Sequence, residues 1–337
     1  MNRGRRISRI ALATGLALSF ATHAFGARRT EDPLALVPAG AATVGVIHWN
    51  ELRSSPLGAQ VFSQMDDVST DGDAARFLRE MGLTPREDID TVVVAMTRSA
   101  GKGRSDDGLV IFEGRFDLAR ISGALVARGA TRQAGASREY YRLANEGGKH
   151  EGAVALVNAR LLIAGSETAV VEALARRESG GAGGLISGQG QGLGRHLSRI
   201  DRGASAWALV DLTLFPSTQN REAHVDVHVE SDEGPSRAIV GVMKSVSLLA
   251  LQASVHGDAI DVSATGLTSD AENRQLLEDS LRGVLAMWRL AVQEKSPELV
   301  SVLRRFRIEN DGEGVSIRGT LPASFLKSLA EHHRAEK

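Results

Sequence analysis

Short apolar runs of strand length, each closed by turn residues, constrain this chain more than any other feature. Residues 91–96 are almost wholly apolar and include three consecutive valines, which predicts a strand buried on both faces. Runs at 44–49, 109–112, 140–143, 153–157, 161–164 and 204–212 read as further strands. Residues 247–255 and 259–267 flank His256-Gly257-Asp258, and the second run alternates Ile260, Val262 and Ala264 with Asp261, Ser263 and Thr265. That pattern is a hairpin with one wet face. A second hairpin follows, in which Phe306 and Ile308 answer Val315 and Ile317 across Asp311-Gly312-Glu313-Gly314.

Helical periodicity fills the gaps between these runs. Helices are expected at residues 57–65, 74–81, 117–128, 167–177, 271–294, 297–304 and 321–331. The second of them stops at Gly82 with Pro85 beyond. The longest places Leu277, Leu281, Val284, Leu285, Trp288 and Val292 at three- and four-residue steps, on one face expected to be buried. Neighbouring strands that can pair directly, with helices beside them, make the fold class α+β: a mainly antiparallel sheet covered by helices.

Eight glycines between Gly180 and Gly194 leave little to fill a core, so this stretch reads as a flexible connector. The expected organisation is a signal peptide over 1–24, a polar stub over 25–34, an N-terminal lobe over 35–179, a Gly-rich linker over 180–199 and a C-terminal lobe over 200–332. The order of elements in the two lobes is similar enough to suggest a degenerate duplication, although no residue-level repeat accompanies it.

Arg3, Arg5, Arg6 and Arg9 precede an apolar run from Ile10 to Phe20, and Thr22-His23-Ala24 offers small residues at a cleavage site. This is the layout of a secretory signal peptide. Arg5-Arg6 resembles a twin-arginine pair with an incomplete consensus, so general secretion is the preferred route. The apolar run is short for a membrane span and none follows it, so no integral span is expected after cleavage. The expected location is the periplasm or the medium.

At 337 residues with 42% hydrophobic and 24% charged side chains, the chain has the composition of a globular protein. Formal charge is −1, and loss of the four leader arginines brings it to −5. Mild acidity gives no electrostatic reason to bind nucleic acid. The absence of cysteine excludes disulfides, thiol catalysis, thiolate metal sites and iron–sulfur clusters.

Leu36-Val37-Pro38-Ala39, then Val44-Gly45-Val46-Ile47-His48-Trp49, then Leu52-Arg53-Ser54-Ser55-Pro56-Leu57 lead to Gly82-Leu83-Thr84-Pro85-Arg86-Glu87-Asp88-Ile89-Asp90. Over residues 34–165 this resembles a group of uncharacterised exported bacterial α+β proteins with an "LVPA" and "L-x-x-S-P-L" opening, a domain of unknown function. The resemblance implies a fold and an exported setting; its motifs are structural and transfer no active site.

His224-Val225-Asp226-Val227-His228 is the sharpest chemical candidate. On a strand, the period of two places His224, Asp226 and His228 on one face, with Glu230 extending it, as ligands for zinc or another divalent transition metal. The competing reading is a polar strand face with Val225, Val227 and Val229 inward, which alternation alone explains. Asp67 to Asp73 resembles half of a calcium loop, but Leu78 stands where the bidentate Glu is required. The glycines at 188–194 lack both the Lys-Ser/Thr ending and the G-x-G-x-x-G spacing of phosphate loops, and the loop around Lys102 lacks the leading glycine. No G-x-S-x-G or H-E-x-x-H motif is present. The sequence therefore predicts a non-catalytic binding or envelope-associated module with an envelope or extracellular protein partner and no cofactor. A metal-dependent enzyme or carrier built on His224, Asp226 and His228 is the alternative. That alternative predicts stoichiometric metal in the purified protein, lost when both histidines become alanine; metal content unchanged by the substitution would refute it.

Overall fold

The computed structural model describes residues 32–55, 58, 81–98, 107–135, 138–144, 150–188, 190–215, 245–293 and 297–325. The leader, the run from Asp67 to Asp73, Lys102, the His224, Asp226 and His228 set and His332-His333 lie outside the described residues, as do most of the helices expected at 57–65, 74–81 and 321–331.

Twelve strands form one sheet, and every neighbouring pair is antiparallel. In chain order they are β1 (Thr43–His48), β2 (Ile89–Thr97), β3 (Asp107–Gly114), β4 (Thr131–Ala134), β5 (Glu139–Ala144), β6 (His150–Asn158) and β7 (Leu161–Gly165). The second half adds β8 (Ala206–Asp211), β9 (Val246–His256), β10 (Ala259–Thr268), β11 (Arg307–Asn310) and β12 (Gly314–Pro322). Across the sheet the order is β11-β12-β10-β9-β8-β1-β2-β3-β7-β6-β5-β4. The two halves are therefore joined through β1 and β8, with Val46 opposite Trp207 and Val44 opposite Leu209. Outward from that seam, β1-β2-β3-β7 and β8-β9-β10-β12 follow corresponding paths.

Six described helices pack on the two faces: α1 (Trp49–Ser54), α2 (Pro85–Asp88), α3 (Leu118–Ala127), α4 (Glu167–Glu178), α5 (Ala271–Gln293) and α6 (Pro297–Arg304). Asp117 caps α3 by accepting from the Arg120 amide, and Ser166 caps α4 by accepting from the Ala169 amide, which satisfies amides that have no partner inside the helix. On one face, α4 and the chain around residues 34–41 and 185–200 cover a core containing Val44, Val93, Ile111, Ile163, Trp207, Leu209 and Leu248. On the other, α3 covers Phe112, Val154 and Leu162 at one end of the sheet, while Leu277 and Leu281 of α5 cover Val315 and Ile308 at the other.

The glycine-rich stretch differs from the expected flexible connector. Leu185 and Leu193 within it are fully buried, the Leu185 amide donates to the Val37 carbonyl at 2.8 Å, and the Ala39 amide donates to the Gly183 carbonyl at 3.1 Å. A Cβ on Gly184 would stand 2.1 Å from the Ala35 carbonyl oxygen, so glycine here permits two backbones to meet. Gly184, Gly192 and Gly194 reflect close backbone approach, and the segment forms part of the core.

Gly192–Arg199 is a 3-10 helix in which Arg195 Nε donates to His196 Nε2 at 2.8 Å. Burial first, and then the Arg195 and Arg199 guanidiniums, hold His196 below the ordinary histidine range. As pH falls below about 6.5 the unfolded chain binds a proton that the folded chain resists, so this histidine's contribution is complete above that pH and is lost on acidification. His196→Gln should flatten the fall in stability on acidification, as read by denaturant melts; an unchanged pH slope would refute the assignment.

Two further expectations change. Val94 and Met96 are 41% and 37% exposed, so β2 is not buried on both faces. Trp288, expected inside, is 47% exposed, because the buried face of α5 is centred on Leu277, Val284 and Leu285. Among the described residues no helix is long and apolar enough to cross a membrane.

Candidate functional site

Among the described residues, the middle of the sheet is covered on one face and left uncovered on the other. Strand register aligns two rows of side chains on the uncovered face, because directly paired residues of antiparallel strands point the same way. The first row runs Val94, Gly45, Ala208, Leu251, Ala264 and Ile317 across six strands. The second runs Val92, Ile47, Ala206, Ala253 and Val262 and reaches Gly319. Small residues lie near the seam: Gly45 and Ala208 in one row, Ala206 and Ala253 in the other. Larger ones stand to either side. This size gradient hollows the sheet into an apolar trough of about 500 Å³.

The trough has defined walls. At one side Phe306 lies over Gly319, where a Cβ would come within 2.6 Å of the phenyl ring, so glycine makes room for the aromatic wall. At the other, Val94 lines the trough, and beside it Val92 packs against the cluster beneath α3. Gln252 and Ser263 are the polar residues at its lining, and they are paired with each other on the core side of the sheet. Leu251 remains 37% exposed and Val94 41% exposed. Among the described residues no ionisable side chain lines the trough.

Three polar groupings elsewhere hold elements together. Tyr140 donates from its hydroxyl to Glu167 Oε1 at 2.6 Å, and Arg142 pairs with the same carboxylate. Together they tie β5 to the first turn of α4. The hydrogen bond to Glu167, followed by burial and the carboxylate's charge, raises the Tyr140 hydroxyl above its ordinary value and keeps it protonated. Arg53, Arg115 and Arg160 gather around Asp90, at 3.4, 3.9 and 3.8 Å. Glu278, nearly buried, receives Arg282 at 2.6 Å and Asn310 Nδ2 at 2.8 Å, which fastens α5 to β11.

Among the described residues no group of three or more His, Asp or Glu side chains could hold a metal ion. His224, Asp226 and His228 fall outside them, so their reading still rests on sequence. The trough itself was missed in the sequence, yet its signal was present. Residues 92–96, 206–210 and 248–251 are apolar at consecutive positions, which supplies apolar side chains to both faces of the central strands.

No protein-family model matches the chain, and no curated protein matches its sequence. Among solved structures, crystal form III of TP0453 aligns over 89% of this chain and 98% of its own, at 11% identity with a TM-score of 0.50. Crystal form I of TP0453 aligns over 89% and 97%, at 11% identity with a TM-score of 0.46. At this identity the likeness is one of fold: the chain is an α+β protein built on a large antiparallel sheet, with the architecture of TP0453.

Proposed function

We propose that this protein is an exported, non-catalytic binding module of the cell envelope whose ligand is a small apolar molecule held in the central trough. The observation that carries this reading is the double row of apolar side chains between α3 and α5, uncovered among the described residues and hollowed by Gly45, Ala206, Ala208 and Ala253. Exposed apolar surface gathered in one concavity marks a binding site, and about 500 Å³ lies within the usual small-molecule range of about 300–1,000 Å³. The arginine-led leader and the resemblance of the opening segment to exported proteins support the envelope setting. The corresponding paths of the strands on either side of the β1–β8 seam support reading the two halves as copies of one unit, with the trough at their junction.

The direct test is titration of the mature protein with the neutral dye N-phenyl-1-naphthylamine, whose emission rises in apolar surroundings. Saturable enhancement, competed away by an aliphatic alcohol, is the expected result. A linear response without saturation would refute the reading.

A further inference from the structure

The opposite face carries a second, chemically different cavity. Beyond Leu248, Ala250 and Leu267, the core side of β9 and β10 changes to Gln252, Ser254, Ser263 and Asp261, and the adjoining positions of β12 and β11 are Arg318, Thr320, Arg307 and Glu309. With Arg199, Arg304 and Arg305 these surround a polar cavity of about 1,040 Å³. Five arginines face three acids, and the acids are already engaged. Glu309 lies 3.7 Å from Arg318, Asp261 accepts from Thr320 at 2.6 Å, and Asp201 accepts from the Gly203 amide at 2.9 Å. Arg199 is held by Glu313.

Three guanidiniums remain. The side chains of Arg304, Arg305 and Arg307 have no hydrogen-bond or ion-pair partner among the described residues. Arg307 stands directly across from Arg318 on the neighbouring strand, a like-charge pairing that disfavours the sheet. A ligand carrying several oxyanion groups would relieve that repulsion, because each guanidinium presents paired N–H donors matched to phosphate or carboxylate oxygens.

We infer that this cavity binds a small multivalent oxyanion, a molecule bearing phosphoryl or carboxylate groups, through Arg304, Arg305 and Arg307, with Ser254 and Ser263 as hydroxyl partners. The site lies on the sheet face opposite the trough and does not depend on the apolar-ligand reading. Charged residues on an edge strand also discourage edge pairing, and that role alone would need no ligand.

Calorimetric titration of the mature protein with inorganic tripolyphosphate, and separately with citrate, at constant ionic strength tests the inference. Saturable binding of either probe is expected, the tighter one identifying phosphoryl or carboxylate chemistry. Arg307→Thr should weaken it about tenfold, the effect of removing one charge-assisted contact, while leaving the melting temperature of the unliganded protein equal or higher. Arg305→Ala should weaken binding likewise, and N-phenyl-1-naphthylamine binding should persist in both variants. Absence of saturation by both probes, or affinity unchanged in Arg307→Thr and Arg305→Ala, would overturn the site whatever the dye shows.

Discussion

Leu185→Ala should destabilise the protein by about 2–5 kcal/mol, although Leu185 lies in the most glycine-rich stretch of the chain. The side chain is fully buried in the core containing Leu34, Val37, Leu193 and Leu209. Truncation removes its transfer energy and leaves a cavity that close-packed neighbours fill only in part. Against a typical total of about 5–15 kcal/mol, such a loss is large. The backbone around it is fixed as well: the Leu185 amide is held by Val37, and Gly184 meets the Ala35 carbonyl. The segment therefore cannot readily slide to refill the space. Chemical denaturation of the mature wild type and variant gives the difference. A change below about 0.5 kcal/mol, as expected at an unconstrained surface position, would restore the connector reading.

Ala208→Glu should reduce binding of the neutral apolar dye by at least about tenfold while the protein still folds. Ala208 is central in the trough, opposite Gly45 on one neighbouring strand and Leu251 on the other. In the unliganded protein a glutamate there can direct its carboxylate to water across the open face. An apolar ligand would have to strip that water away without replacing its hydrogen bonds, which is costly for a charge. Gly45→Leu supplies an independent arm by filling the same space with carbon. Its new Cβ would lie 3.6 Å from the Trp207 carbonyl oxygen and 3.7 Å from Ala208 Cβ, ordinary contact distances that leave the backbone undisturbed. Loss of binding in both variants, with circular dichroism preserved, would place the ligand in the trough. Wild-type affinity in both would remove it from there.

Local structure was legible wherever it depended on local chemistry. The helix expected at 167–177 is α4, Glu167–Glu178, because Ser166 caps its start and the apolar period continues through Val170, Ala173 and Leu174. The alternation in residues 259–267 became β10, paired with β9 across His256-Gly257-Asp258. The expected terminal helix at 321–331 was placed too early at its start: Leu321 and Pro322 end β12, where their backbones continue the ladder with Ile260 and Ala259. Strand β4, Thr131–Ala134, carried no apolar alternation and was missed; its strand form depends on pairing with β5.

The candidate sites were less legible because both depend on neighbours distant in sequence. Consecutive valines in β2 reported apolar side chains on two faces, yet could not report that the second face would go uncovered at Val94 and Met96. Nothing in the sequence pairs Arg307 with Arg318; strand register alone sets them opposite each other.

The sequence by itself determined the antiparallel α+β class, most strand and helix positions and the absence of cysteine chemistry, since these follow from short-range periodicity and composition. Only the tertiary structure decided that β1 and β8 pair to unite the halves, that Gly184, Gly192 and Gly194 let backbones meet, and that small residues from β1, β8 and β9 align into a hollow. The physical reason is that pairing register and close approach are relations between segments far apart in the chain, and a residue's own type does not encode its partner.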